Sequence, residues 1–215
     1  MNFMKSKFSL IIVGIGWMAL VSIGLMKLYN YEFKSGPEGS PIGHWPDGSH
    51  IHRDNKVYQL VMVVHPHCPC SRATLHELEL IMARAQDQLS VYMLFTHPKQ
   101  FSREWVKTDL FNDAQKISNV HVIIDQDSQE AKLFGGTTSG QAFLFDTNGN
   151  ILFSGGITDS RGHEGDNVGM TAIIDILQNK RIALKQTPVF GCLLYNEDSQ
   201  VDNDSLHGRD ENVER

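Results

Sequence analysis

The sequence predicts an α/β protein, a mixed sheet with flanking helices, preceded by one N-terminal transmembrane helix. Three observations lead there. Phe8–Met26 is an uncharged, mostly apolar run of about 19 residues, close to what a helix needs to cross a bilayer core. Short apolar runs then alternate with segments of helical period from Val57 to Phe134. Beyond them, two more apolar runs flank Thr147-Asn148-Gly149-Asn150, which carries the Asn-Gly hairpin cue, and a last helical segment follows.

The N-terminal run defines an anchor over residues 8–29, in contact with membrane lipid, with residues 1–7 on the cytoplasmic side. Lys5 and Lys7 precede it while Lys27 and Lys34 follow, and the positive-inside bias favours this orientation. The main domain is then expected outside the cytoplasm, in a periplasmic or equivalent space. A cleaved signal peptide is the rival; its apolar region is usually shorter and ends in an Ala-x-Ala-like site, which is poor here. Residues 30–56 read as linker and loop, being rich in Gly, Pro, Ser and His from Ser35 onward without hydrophobic period. The folded domain is expected over 57–195, and the polar, acidic stretch 196–215 as a disordered tail.

Within the domain, Val57–Val64 is a buried-strand run. Ser71–Leu89 places Leu75, Leu78, Ile81, Met82, Ala85 and Leu89 at helical spacing. Val91–Phe95 follows as a strand, Arg103–Ile117 as a helix, Val120–Asp125 as a strand and Ser128–Phe134 as a short helix. Ala142–Asp146 and Ile151–Ser154 form the hairpin, and Val168–Asn179 the closing helix. Such an order gives parallel strands followed by an antiparallel pair. If Ala142–Asp146 runs antiparallel to Val57–Val64, the loop Gly155–Asn167 leaves the sheet at the end where the first strand delivers Cys68, and overhangs it.

Composition narrows the chemistry. With 215 residues, 41% hydrophobic and 20% charged, the chain suits one core with appendages. A formal net charge of -6 leaves no Lys/Arg stripe to replace phosphate counterions, which excludes a nucleic-acid partner. Three cysteines are too few for a disulfide scaffold, and Cys68 and Cys70 stand one residue apart, where a shared chemical role is expected. Of the ten histidines, His44, His50, His52, His65 and His67 lie between the anchor and that pair.

A thiol at the start of a helix faces unpaired N–H groups and the positive end of the helix dipole, and both favour thiolate. Cys68 and Cys70 occupy such a place, with His67 and Arg72 nearby to add positive charge. In the overhanging loop, Arg161 and His163 are the candidates for tuning the thiols, ahead of Asp159 and Glu164, because cations lower a thiol pKa. Cys192 follows the last helix, as either a distant resolving partner or a buried apolar residue. Trp105 and Phe143 read as core.

The stretch Cys68-Pro69-Cys70-Ser71-Arg72-Ala73-Thr74-Leu75-His76-Glu77-Leu78 resembles the strand–Cys-x-x-Cys–Arg-Ala-x-x-x-Glu-Leu segment of the TlpA/ResA-like thioredoxins. Ala142–Ile151 resembles their later hairpin. His65–Arg72 together with the Gly-rich 155–167 loop is also similar to a group of bacterial proteins labelled RedB, and the likeness covers about residues 45–195. The resemblance implies a thioredoxin-like fold with Cys68 in the place of the attacking cysteine. Ser71 falls at the resolving position and Cys70 is shifted by one residue. Where the family carries a cis-proline, this chain has Gly140 or Gln141.

Three activities follow as expectations. The first is thiol–disulfide oxidoreduction, with Cys68 as nucleophile and Cys70 as resolving thiol. It needs no cofactor and takes protein thiols or disulfides, or a membrane electron donor, as partners. A disulfide between residues so close would close a small strained ring, favouring oxidation or shuffling over reduction. The second is copper binding or delivery by His65, Cys68, Cys70 and His163, an arrangement similar to that of the SCO-like proteins. The third, a thiol peroxidase, is disfavoured because His65 and Val61 stand where peroxiredoxins carry a Thr or Ser and a Pro.

Overall fold

The structure, a computed structural model, describes residues 2–195 except positions 38, 41, 86 and 183. The expected tail, 196–215, lies outside the described residues. The chain divides into two units, one ending at Lys34 and one beginning at Ser35.

The first unit is a helix, α1 (Asn2–Glu32). Its stretch Ser9–Glu32, 24 residues, is long and apolar enough to cross a membrane. Leu10, Ile11, Ile12 and Val13 are consecutive and all exposed. Apolar residues therefore cover every side of the helix, with no single apolar face. Ser22 turns its hydroxyl back onto the Met18 carbonyl at 2.8 Å, so this polar group is satisfied within the helix.

The second unit carries β1 (Tyr58–Val64), α2 (Cys70–Ala85), β2 (Leu89–His97), α3 (Asp109–Ala114), β3 (Val120–Gln126), α4 (Gln129–Leu133), β4 (Gln141–Phe145), β5 (Ile151–Gly156) and α5 (Val168–Asn179). The strands form one five-stranded sheet in the order β3-β2-β1-β4-β5. β1, β2 and β3 are parallel; β4 is antiparallel to β1, and β5 to β4. β1 sits at the centre because Leu60–Val64 is apolar without interruption and needs cover on both faces. Leu60, Met62 and Val64 pack with Leu78, Ile81 and Met82 of α2 and Ile173 and Ile176 of α5. Val61 and Val63 pack on the opposite face with Phe134, Phe143 and Phe145.

That second face corrects one expectation. Residues 35–56 are more than a linker: Trp45 and Ile51 are buried in this core, with Trp45 edge-on to Tyr92, Phe134 and Phe145. The Trp45 N–H donates to Gly149 O at 2.8 Å, tying the segment to the β4–β5 turn. Two apolar anchors among Gly, Pro and His make no period, so their burial is invisible to pattern reading. The helix expected over 103–117 is also divided. A single 3₁₀ turn at Arg103–Trp105 ends before Thr108, whose hydroxyl accepts from Phe111 N and starts α3 afresh. Leu89, expected as the last residue of a helix, instead opens β2.

Candidate functional site

The register Met62↔Ala142 puts the start of β4 beside the end of β1. Past Val64 the chain turns through His65-Pro66-His67, with the Cys68 N–H donating to His65 O at 3.1 Å and Ser71 N–H to Cys68 O at 3.1 Å. These bonds wind the chain into α2, of which Cys70 is the first residue. Cys68 and Cys70 are only 4% and 6% exposed, yet Cys68 borders a cleft of about 230 Å³ with Pro66, His67, Pro69 and Arg72 among its walls. Both are free thiols, as is the half-buried Cys192.

Cys192 lies at this same place. Residues just ahead of β4 pair with the chain that follows α5: Ser139 N–H donates to Cys192 O at 2.8 Å, Leu194 N–H donates to Thr137 O at 2.9 Å, and Thr138 and Leu193 form an antiparallel bridge. Ser139 is a junction. Its hydroxyl accepts from His65 N–H at 2.8 Å and lies 2.7 Å from the Ser71 hydroxyl. One serine thus touches the turn before Cys68, the residue after Cys70 and the backbone of Cys192.

The Cys68 sulfur is the focus of these groups. Burial alone pushes its thiol up, but hydrogen bonds from the Cys192 thiol, the Ser71 hydroxyl and the backbone amides of Cys192 and Cys70 outweigh it and hold the pKa below the ordinary cysteine value. The other two sulfurs move the opposite way. Cys70 is raised by burial and by the charge and hydrogen bonding of Cys68, partly offset by a hydrogen bond and positive charge from Arg161. Cys192 is pushed up to about 12 by burial, by its hydrogen bond to Cys68 and by the charges of Cys68 and Cys70, again partly offset by Arg161. Of the three thiols, Cys68 is therefore the one whose thiolate the site favours, while the shifts at Cys70 and Cys192 favour the thiol.

The loop 157–167 brings Arg161 to the cysteines. It is fastened from beneath by Glu77 of α2, fully buried, whose carboxylate accepts from Gly165 N–H at 2.7 Å and Asn167 Nδ2 at 3.1 Å. On the surface, His76 and Glu164 meet at 3.4 Å. Asp159 accepts from Val168 N–H at 3.4 Å. His163, expected to share the tuning of the thiols, is exposed, with its amide on Ser160 O.

The other sequence candidates fall into place around the cleft. His67 donates from Nε2 to Trp105 O at 2.9 Å, and its ring lies 4.6 Å from that of Trp105. His65 accepts at Nδ1 from His67 N–H, and burial, with a smaller contribution from His67, lowers its pKa. Trp105, expected as core, is partly buried against the core but also stacks on Phe101, meets His65 edge-on and lies tilted against His67. Arg72 is mostly exposed and leans toward Asp113 at 3.9 Å. Gly140 adopts φ +91°, its N–H bonds to Val63 O, and a Cβ there would come within 3.0 Å of Thr74 Oγ1. A left-handed glycine thus stands where the resemblance implies a cis-proline, and no cis peptide occurs among the described residues. No group of three or more His, Cys, Asp or Glu that could hold a metal ion occurs among the described residues.

A central parallel β1 flanked by antiparallel β4, with a thiol pair where β1 gives way to α2, decides the architecture. The fold is thioredoxin-like. No protein-family model and no curated protein matches the sequence. Among solved structures, a conserved protein from Geobacillus kaustophilus superposes with a TM-score of 0.54 at 20% identity, over 77% of this chain and 93% of that one. A hypothetical protein from Sinorhizobium meliloti gives a TM-score of 0.49 at 19% identity, covering 76% and 96%. The thioredoxin domain of a thiol-disulfide oxidoreductase from Bacteroides vulgatus gives 0.40 at 15% identity, covering 67% and 99%. Within the thioredoxin-like site, sequence reading missed Ser139 and the fastening role of Glu77. Glu77 stands in the quoted motif, whereas nothing in the sequence marks Ser139.

Proposed function

We propose that this chain is a membrane-anchored, extracytoplasmic thiol–disulfide oxidoreductase of TlpA/ResA-like or RedB-like type, with Cys68 as its attacking nucleophile. The observation that carries the reading is the set of donors converging on the Cys68 sulfur, which favours the reactive thiolate. The thiolate attacks one sulfur of a partner's disulfide through the cleft beside Pro66 and Arg72. A mixed disulfide forms at Cys68, and the partner's other sulfur leaves as thiolate. Run in reverse, the same bonds deliver a disulfide to a partner's thiols. Partners are protein thiols or disulfides, or an electron donor in the membrane, and the exchange itself calls for no prosthetic group.

The test is the pH profile of alkylation of reduced, detergent-solubilised protein by iodoacetamide, followed at Cys68 by mass spectrometry. Only the thiolate reacts, so a lowered pKa moves the profile toward lower pH. The expected midpoint lies below about 8.5, the value of an unperturbed cysteine. A midpoint at or above that value removes the reading, as does disulfide exchange that persists in Cys68→Ser. The anchor is tested separately: the protein should stay with membranes in alkaline carbonate, and full release would mean that α1 does not span the bilayer.

A further inference from the structure

We infer that Cys192, rather than Cys70, is the thiol that resolves the mixed disulfide at Cys68, so that the oxidised protein carries a Cys68–Cys192 bond. The inference rests on the proposed oxidoreductase reading and deepens it. Geometry argues for it in two ways. First, Ser139 joins the two segments: its N–H donates to Cys192 O at 2.8 Å and its hydroxyl lies 2.7 Å from that of Ser71, at the start of α2 beside Cys68, where the Cys192 thiol and N–H both hydrogen-bond the Cys68 sulfur. Second, the chain around Cys192 is held in position by the Ser139 N–H, the Thr138–Leu193 bridge and the Leu194 N–H, independently of any sulfur contact. The two thiols are brought together by the fold, across the sheet end, although 123 residues separate Cys68 from Cys192 along the chain.

Cys70 is placed less well for the task. One residue separates it from Cys68, so their disulfide closes a small ring with strained geometry. Its N–H and its thiol both hydrogen-bond the Cys68 sulfur from the start of α2, where the helix backbone fixes it, and its thiol is also engaged by Arg161. Cys192 lies outside helix and strand and is half-buried, so its backbone is not committed to a helix as that of Cys70 is.

The order of events follows from where the charge sits. While Cys68 is a thiolate, Cys192 keeps its proton, because it donates that proton to Cys68 and faces its charge. Attack on a partner's disulfide, R–S–S–R′, consumes the charge: Cys68–S–S–R forms and R′–S⁻ leaves. Both restraints on Cys192 then vanish while Arg161 remains. The Cys192 proton passes to R′–S⁻, and the new thiolate attacks the Cys68 sulfur. The Cys68–Cys192 bond forms and R–S⁻ departs. Two electrons have moved from the two cysteines to the partner's disulfide, and Cys70 has stayed a thiol.

The test uses the full chain in detergent, with glutathione disulfide as the probe, followed by alkylation and peptide mapping. In the wild type, the expected product is a Cys68–Cys192 link, and the same link forms in Cys70→Ser. Cys192→Ser is expected to stop at the Cys68–glutathione mixed disulfide and to lose release of the second glutathione. A Cys68–Cys70 link in the wild type, with release of the second glutathione intact in Cys192→Ser, overturns the inference while leaving Cys68 as the nucleophile. If Cys68 takes up no glutathione in any form, the oxidoreductase reading falls and the inference with it. The wild-type map needs no substitution, so it decides the matter even if a variant folds poorly.

Discussion

Replacing Glu77 by Ala is expected to destabilise the domain by about 3–5 kcal/mol and to unfasten the loop that carries Arg161. Glu77 is fully buried, and its two oxygens answer two separate donors, Gly165 N–H and Asn167 Nδ2. Removing the carboxylate leaves both donors without it, at about 1–3 kcal/mol each, and opens a cavity besides. The damage spreads through Asn167, whose Oδ1 caps α5 by accepting from Met170 N–H at 2.7 Å. Without Glu77 the Asn167 amide keeps only its bond to Gly165 O, itself on the unfastened loop, and the start of α5 loosens with it. Chemical denaturation measures the stability, and proteolysis after Arg161 reports loop opening. Glu77→Gln, which can still accept one of the two bonds, should fall between Ala and wild type. Equal stability of Ala and wild type would show that the carboxylate is not the fastening.

Glu77 also marks where sequence reading stops. Its place in the motif was legible, as was the position of the loop, because strand directions alone require 155–167 to leave the sheet beside Cys68. The partner of the carboxylate was not, since Gly165 and Asn167 are exposed-looking loop residues until the fold brings them onto α2. Where a signal is local, sequence and structure agree closely. The Asn148-Gly149 turn forms with Gly149 at φ +90° and Asp146 accepting from Asn148 and Asn150, and α5 runs over Val168–Asn179 between its Asn167 cap and left-handed Lys180. Where the signal is tertiary, it is lost. Trp45 is one aromatic in a polar stretch, Thr108 looks like any helix residue until its hydroxyl caps Phe111, and Arg161 and His163 cannot be ranked until one of them reaches the thiols.

Cys192 is the sharpest case, because its meeting with Cys68 depends on one close backbone approach that a single methyl group can undo. A Cβ on Gly191 would lie 1.9 Å from Ser139 O, a backbone atom that cannot swing aside as a side chain could. Gly191→Ala must therefore push residues 191–194 away from Ser139, breaking the 2.8 Å bond from Ser139 N–H to Cys192 O. Overpacking of this kind costs about 1–3 kcal/mol, so the protein should still fold. The larger effect is chemical. Cys68 loses two of the donors that hold it as thiolate, the thiol and the amide of Cys192, while those from Ser71 and Cys70 remain. Hydrogen bonds to a charged group are worth about 1.5–3 kcal/mol, and 1.36 kcal/mol is about one pH unit, so the alkylation midpoint of Cys68 should rise by about 1–2 pH units. The sign is fixed: loss of donors destabilises the charged form, so more alkali is needed to reach it. Gly43→Ala is the control, since a Cβ there meets nothing within 4 Å. An unchanged Cys68 profile in Gly191→Ala would mean that Cys192 does not support the thiolate.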